Sequence, residues 1–197
     1  MIKVAITGNI ASGKSELEKL IVKRGFMVVD TDKISHDILK HDKTAIREIL
    51  DYFEGTDIVD EHGDICRQKL GALVFANKGM MYKLETIMHP RINEKVRAVF
   101  ERFRTLDVIF VSVPLLFEAK MEGIYDKVIF VAADEDLRLK RLIGRTKCNF
   151  TEAKMRIKAQ MPQEEKVDRA DYVIYNNTSI ANLEFQLNLV LNKIVKQ

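Results

Sequence analysis

Five short runs of apolar, mostly β-branched or aromatic residues recur along the chain, at residues 2–7, 26–29, 108–113, 128–132 and 172–175. Each has strand length and little polar interruption. That is the pattern of strands covered on both faces of a parallel sheet, not the alternation of a half-exposed one. Helical spacing fills the intervals. Leu17, Leu20 and Ile21 share a face of a segment over 15–23, and residues 137–143 form a shorter segment of the same kind. In the tail Leu183, Leu187, Val190, Leu191, Ile194 and Val195 recur at helical spacing. Strands alternating with helices predict a doubly wound α/β sheet of five parallel strands flanked by helices.

Residues 34–104 break that rhythm. Ile46, Ile49, Leu50 and Phe53, then Leu70, Leu73, Val74 and Phe75, then Ile87, Met88, Ile92, Val96 and Val99 keep helical spacing, with no convincing central strand. The pattern predicts one domain with a core at 1–33 and 105–197 and a helical insertion at 34–104. The insertion is either a second-substrate module or a covering layer of helices. His89 precedes Pro90, and the residue before a proline is pushed out of helical geometry, which predicts a helix boundary there.

Composition removes several classes. Hydrophobic residues at 47% and charged residues at 31% of 197 fit a globular core and exclude global disorder. A net charge of +3 is too small to argue for a nucleic-acid partner. Cys66 and Cys148 lie far apart, and His36, His41, His62 and His89 form no ligand-spaced pair, so neither a disulfide framework nor a zinc site is expected. The opening MIKVAITGN does not resemble a signal peptide, and no run approaches 18 apolar residues. The expectation is a cytoplasmic protein with no membrane partner, monomeric or weakly homo-oligomeric.

The sharpest signal is Gly8-Asn9-Ile10-Ala11-Ser12-Gly13-Lys14-Ser15, a match to G-x-x-x-x-G-K-[ST] between a predicted strand and a predicted helix. Gly8 and Gly13 let the backbone turn tightly and aim N–H groups inward, and the helix N-terminus adds positive potential where phosphates sit. Lys14 is placed to bridge β- and γ-phosphate oxygens, and Ser15 to offer a hydroxyl to Mg²⁺. The chain is thus expected to bind ATP with Mg²⁺.

Three further features favour phosphoryl transfer over a switch. Asp60-Glu61-His62-Gly63 matches the D-x-x-G of guanine-nucleotide switches by letters only, in a polar turn, and Asn192-Lys193 lacks the Asp that would follow. The second strand ends Val29-Asp30-Thr31-Asp32, at the strand ends that line a ligand crevice. Spacing i, i+2 puts both carboxylates on one side if the extended backbone continues, one to take a proton and one to hold Mg²⁺ directly or through water. Capping of the next helix is the alternative for either. Arg138, Arg141 and Arg145 fall on one helical face in a strongly basic stretch, suited to a lid at about 138–162 that closes over a triphosphate.

These residues, together with Asp64–Phe75 (DICRQKLGALVF), His89-Pro90-Arg91-Ile92, Val113-Pro114-Leu115-Leu116-Phe117-Glu118, Gln160 and the block from Ala170 to Asn176, resemble the dephospho-CoA kinase family over nearly the whole chain. The resemblance implies a P-loop kinase fold with a helical acceptor-binding insertion and a helical lid. It implies transfer of the ATP γ-phosphoryl to the ribose 3′-hydroxyl of dephospho-CoA, giving coenzyme A, with no nucleic-acid partner. Other small-molecule kinases and a nucleotide-dependent regulatory module are the alternatives.

By the resemblance, Asp32 is the catalytic base, assisted by Lys14 and the lid residue Arg145. Gly8, Ala11, Ser12, Gly13, Lys14, Ser15, Glu16, Arg141, Arg145 and Asn176 bind nucleotide, with Asn176 near the adenine. Arg67, His89, Pro90, Leu115, Phe117 and Glu118 join Asp32 on the acceptor side, and Ser15 and Asp30 serve the metal. Glu118 would otherwise pair with Arg91 or Lys14. The chain departs from the family's usual residues at Asn9 and Ala11, where glycine is common, at Ser112, usually Asp, and at Thr178, usually Gly.

Overall fold

The computed structural model describes residues 1–195. In chain order the elements are β1 (Ile2–Gly8), α1 (Lys14–Lys23), β2 (Val28–Asp30), α2 (Thr31–His41), α3 (Lys43–Tyr52), α4 (Arg67–Ala76), α5 (Lys78–Arg102), β3 (Val108–Ser112), β4 (Lys127–Ala132), α6 (Glu135–Thr146), α7 (Phe150–Lys158), α8 (Gln163–Arg169), β5 (Tyr172–Tyr175) and α9 (Ile180–Val195). The five strands form one parallel sheet in the order β2-β3-β1-β4-β5.

Burial on both faces explains the uniformly apolar runs. Val4, Ile6, Phe110, Ile129, Val131 and Ile174 share a core with Leu17, Leu20 and Ile21 of α1 and with Leu183, Leu187, Val190, Leu191 and Ile194 of α9. The alternate residues Ala5, Ile109, Val111, Val128 and Phe130 are buried as well. Each large side chain in such a layer contributes about 1.5–3 kcal/mol. The second strand lies two residues later than the apolar run. Phe26 precedes it and packs edge to face on Phe110, with ring centroids 5.5 Å apart, so its bulk serves the core and not the ladder.

The chain divides into two compact units, residues 1–30 with the chain from 104 onward, and Thr31–Phe103. The second unit holds α2 to α5 around Ile38, Ile49, Phe53, Leu70, Val74, Ile87 and Met88. Two of its helices, α3 and α5, start where short polar side chains cap them. Asp42 Oδ1 accepts from the Thr44 and Ala45 N–H groups at 3.1 and 3.0 Å, and Asn77 Oδ1 accepts from Gly79 and Met80 at 2.9 and 3.1 Å. Asp60, in the turn that mimics a switch motif, accepts from the His62 and Asp64 N–H groups. Those bonds, the His62 one foremost, hold its carboxyl below the usual range. The letters D-x-x-G here mark a turn.

The boundary expected at His89 is absent, because α5 runs through Pro90 to Arg102. A proline inside a helix removes one donor and crowds the preceding turn. The Arg91 guanidinium lies along that preceding turn, its Nη1 donating to the Ile87 carbonyl at 2.7 Å. Salt bridges to Glu48 and Asp42 hold the same guanidinium against the start and middle of α3.

Candidate active site

The loop 8–15 leaves β1 where the sheet order switches, since β1 pairs with β3 on one side and β4 on the other. Ligands of such sheets bind at the carboxyl ends of the strands at this point. Gly13 has φ +93° and stands at the N-cap of α1 without a side-chain cap, leaving the first-turn N–H groups for a ligand. A Cβ at Gly13 would lie 1.9 Å from Asn176 Nδ2. One at Gly8 would lie 2.6 Å from Ser12 Oγ and 2.8 Å from the Val131 carbonyl. Ala11 has φ 61°. A Cβ in this left-handed region costs about 1–2 kcal/mol.

Side chains from distant segments hold the loop backbone. The Ser12 carbonyl accepts from Asn176 Nδ2 at 2.8 Å and from Arg141 Nη1 at 3.3 Å, and Arg141 Nη2 also donates to the Asn176 carbonyl at 2.9 Å. Gln160 Oε1 accepts from the Ile10 N–H at 2.7 Å, and Asn9 Nδ2 donates to the Met161 carbonyl at 3.3 Å. Ile10 and Ala11 pack against Leu139, Leu142, Ala153 and Ile157 of α6 and α7. Asn176 is buried with its amide bound to the loop, so it shapes the loop from within. Asn177 pairs reciprocally with Asp134 just before α6, at 2.7 and 2.9 Å.

The three arginines of α6 part company. Arg138 is buried, its Nε and Nη1 lack partners, and burial pushes its guanidinium below the ordinary value despite nearby Glu135 and Glu164. Arg141 is locked to the loop, and Arg145 is exposed in the last turn. A basic face legible as uniform therefore holds three environments.

Lys14 Nζ donates to Glu18 Oε1 at 2.7 Å and to the Ser112 hydroxyl. Ser112 stands opposite Ile6 of β1 and opposite Asp30 of β2, so Asp30, Ser112 and the loop strand form one row across the sheet. An Asp at 112 would offer Lys14 a charge, whereas Ser offers a neutral acceptor. Ser15, exposed in the first turn of α1, and Asp30 at the end of β2 are hard oxygen donors of the kind Mg²⁺ takes in ones and twos. Glu16 points along α1 and pairs with Lys19 at 2.7 Å.

Asp30 and Asp32 do not share a strand face. The backbone turns helical at Thr31, which places Asp32 in the first turn of α2, where a carboxylate is favoured by the helix dipole. Arg67 opens α4 and its Nη1 lies 3.3 Å from His36 Nδ1. His89 is partly buried and Pro90 exposed on α5.

After β3, Leu115 is 41% exposed, but Phe117 is 1% exposed with the Arg169 guanidinium 4.7 Å from its ring centroid, so Phe117 is a core side chain and not an acceptor-facing one. Glu118 pairs with neither Arg91 nor Lys14. Its partner is the fully buried Lys166 of α8, at 2.5 Å, a contact between residues 48 apart in sequence that no local pattern announces. Gln160, Ser112, Lys166 and His36 are the positions whose contacts residue spacing did not disclose.

A parallel sheet of this order, with a glycine-gated loop opening α1 and basic helices seated on that loop, defines a P-loop kinase fold. The model of the family described as dephospho-CoA kinase matches residues 2–182. A protein of Carboxydothermus hydrogenoformans named dephospho-CoA kinase is 40% identical over 192 residues, covering 96% of this chain and 93% of its own. Among solved structures, TT1252 of Thermus thermophilus superposes with a TM-score of 0.84 at 31% identity, covering 98% of this chain and 97% of that one. The dephospho-CoA kinase of Campylobacter jejuni does so with 0.73, at the same identity and coverage. The chain belongs to the dephospho-CoA kinase family.

Proposed function

We propose that this protein transfers the γ-phosphoryl group of ATP to the ribose 3′-hydroxyl of dephospho-CoA, yielding coenzyme A and ADP. Membership of the family supports the reaction, and the loop 8–15 with its buried supports is the observation that carries it. Lys14 and the first-turn N–H groups of α1 hold the β- and γ-phosphates. Arg141 keeps the loop in shape, and Arg145, exposed one turn further along α6, supplies charge to the transferring group from the lid. Ser15 and Asp30 would hold Mg²⁺, which would supply positive charge to the phosphate oxygens. Asp32 takes the proton of the attacking hydroxyl. The transition state is loose, so positioning and charge outweigh the base. Arg67, His89, Pro90 and Leu115 are the acceptor-side residues, while Phe117 and Glu118 stay with Arg169 and Lys166.

A mass-resolved assay tests this. Protein, ATP and Mg²⁺ are mixed with dephospho-CoA, with AMP or with no acceptor. Phosphoryl gain by dephospho-CoA alone, with a product that co-migrates with coenzyme A, is the expected result. Equal ATP hydrolysis in all three mixtures overturns the proposal.

A further inference from the structure

We infer that His36 and Arg67 form the subsite that grips the diphosphate of the acceptor. This rests on the function proposed above and deepens it. Arg67 Nη1 lies 3.3 Å from His36 Nδ1. A guanidinium only donates, so Nδ1 of His36 accepts and its ring proton sits on Nε2, directed away from the contact. Both side chains are exposed. Among the described residues no carboxylate pairs with either, whereas other cations of the same unit have acids, Lys69 with Asp57 and Arg91 with Asp42 and Glu48. A permanent cation beside an imidazole, with no acid to neutralise it, calls for an anion from outside.

Two more features give that anion its chemistry. Arg67 is the first residue of α4, whose N-cap Cys66 makes no side-chain hydrogen bond, so uncapped N–H groups add to the positive potential there. Asp32 and His36 stand at i and i+4 on one face of α2, about one helical turn of 5.4 Å apart. In the acceptor the reactive 3′-hydroxyl and the 5′-diphosphate stand at opposite ends of one ribose. A carboxylate for the hydroxyl and, one turn on, an Arg–His pair for the diphosphate match that layout. Planar bidentate recognition of phosphate oxygens is what an arginine does better than a lysine.

The test compares Arg67→Ala, Arg67→Lys, His36→Ala and His36→Gln with the wild type, reading KM for dephospho-CoA and for ATP separately. Arg67→Ala raises the dephospho-CoA KM roughly 10–100-fold, as loss of charge-assisted bonds does, with the ATP KM within about twofold. Arg67→Lys keeps charge without the fork and falls between. His36→Ala has a smaller effect that His36→Gln, whose amide oxygen still accepts from Arg67, largely reverses. An unchanged dephospho-CoA KM in Arg67→Ala overturns the subsite, and so does an equal rise in both KM values, the mark of a general structural loss. If the wild type leaves dephospho-CoA unphosphorylated, the proposed function is what fails. Calorimetry with inorganic pyrophosphate on the ADP-saturated protein then decides the subsite. Weaker binding by Arg67→Ala than by wild type supports an anion site, and equal or absent binding by both removes it.

Discussion

The phosphate loop and the helical unit that begins at Thr31 handle charge in opposite ways. Around the loop, polar side chains are turned inward. Arg141, Asn176 and Gln160 bind loop backbone, Lys14 is held by Glu18 and Ser112, and Lys166 is buried against Glu118. In the helical unit the corresponding groups, Asp32, His36 and Arg67, are exposed on helix starts and helix faces. The difference teaches what each side has to do. A triphosphate is gripped by backbone N–H groups, so the frame must hold the backbone still before it arrives. On the function proposed above, the acceptor is gripped by side chains, which stay accessible.

Substitutions can break or sharpen this contrast. The largest effect falls on the buried pair. Lys166→Met strands the Glu118 carboxylate and costs about 3–5 kcal/mol, whereas Lys166→Met with Glu118→Leu recovers most of it, read by denaturant unfolding. A single variant as stable as the wild type would show that the pair is not buried in solution. Lys14→Ala comes next. It lowers transfer roughly 10²–10³-fold and raises the ATP KM while leaving the dephospho-CoA KM unaltered, and a selective change in the acceptor KM would erase the division of labour.

Gly13→Ala acts on the frame alone. With φ +93° and Asn176 Nδ2 in the way, it costs about 1–3 kcal/mol of stability and weakens nucleotide binding; normal ATP affinity would mean the loop reshapes freely. The smallest effect is a gain. Ala11→Gly, at φ 61°, relieves backbone strain and raises stability by up to about 1 kcal/mol, visible as a higher Tm. A lower Tm would show that Ala11's packing on α6 and α7 outweighs the strain.

Where local pattern decides structure, the sequence was legible. Uniform apolar runs gave all five strands because the sheet is covered on both faces, and eight consecutive residues gave the loop. Legibility stopped where tertiary contacts decide. Extended geometry through Asp32 was plausible from spacing, but α2 starts at Thr31. Pro90 suggested a boundary, but α5 continues, with Arg91 bonded to the preceding turn. Glu118 had two plausible cationic partners by charge and took a third from α8. Three arginines at helical spacing could not disclose that one would be buried, one locked and one exposed, since α7, α8 and the loop set those environments.

The separation of donor grip from acceptor chemistry is read by ATP affinity and single-turnover transfer measured together on Asp32→Asn. The expected result is an ATP Kd within about twofold of wild type with the transfer rate lowered roughly 10²–10⁴-fold. Transfer at a near-normal rate would remove Asp32 from the chemistry, and a parallel collapse of ATP affinity would show that the two sides are not separable.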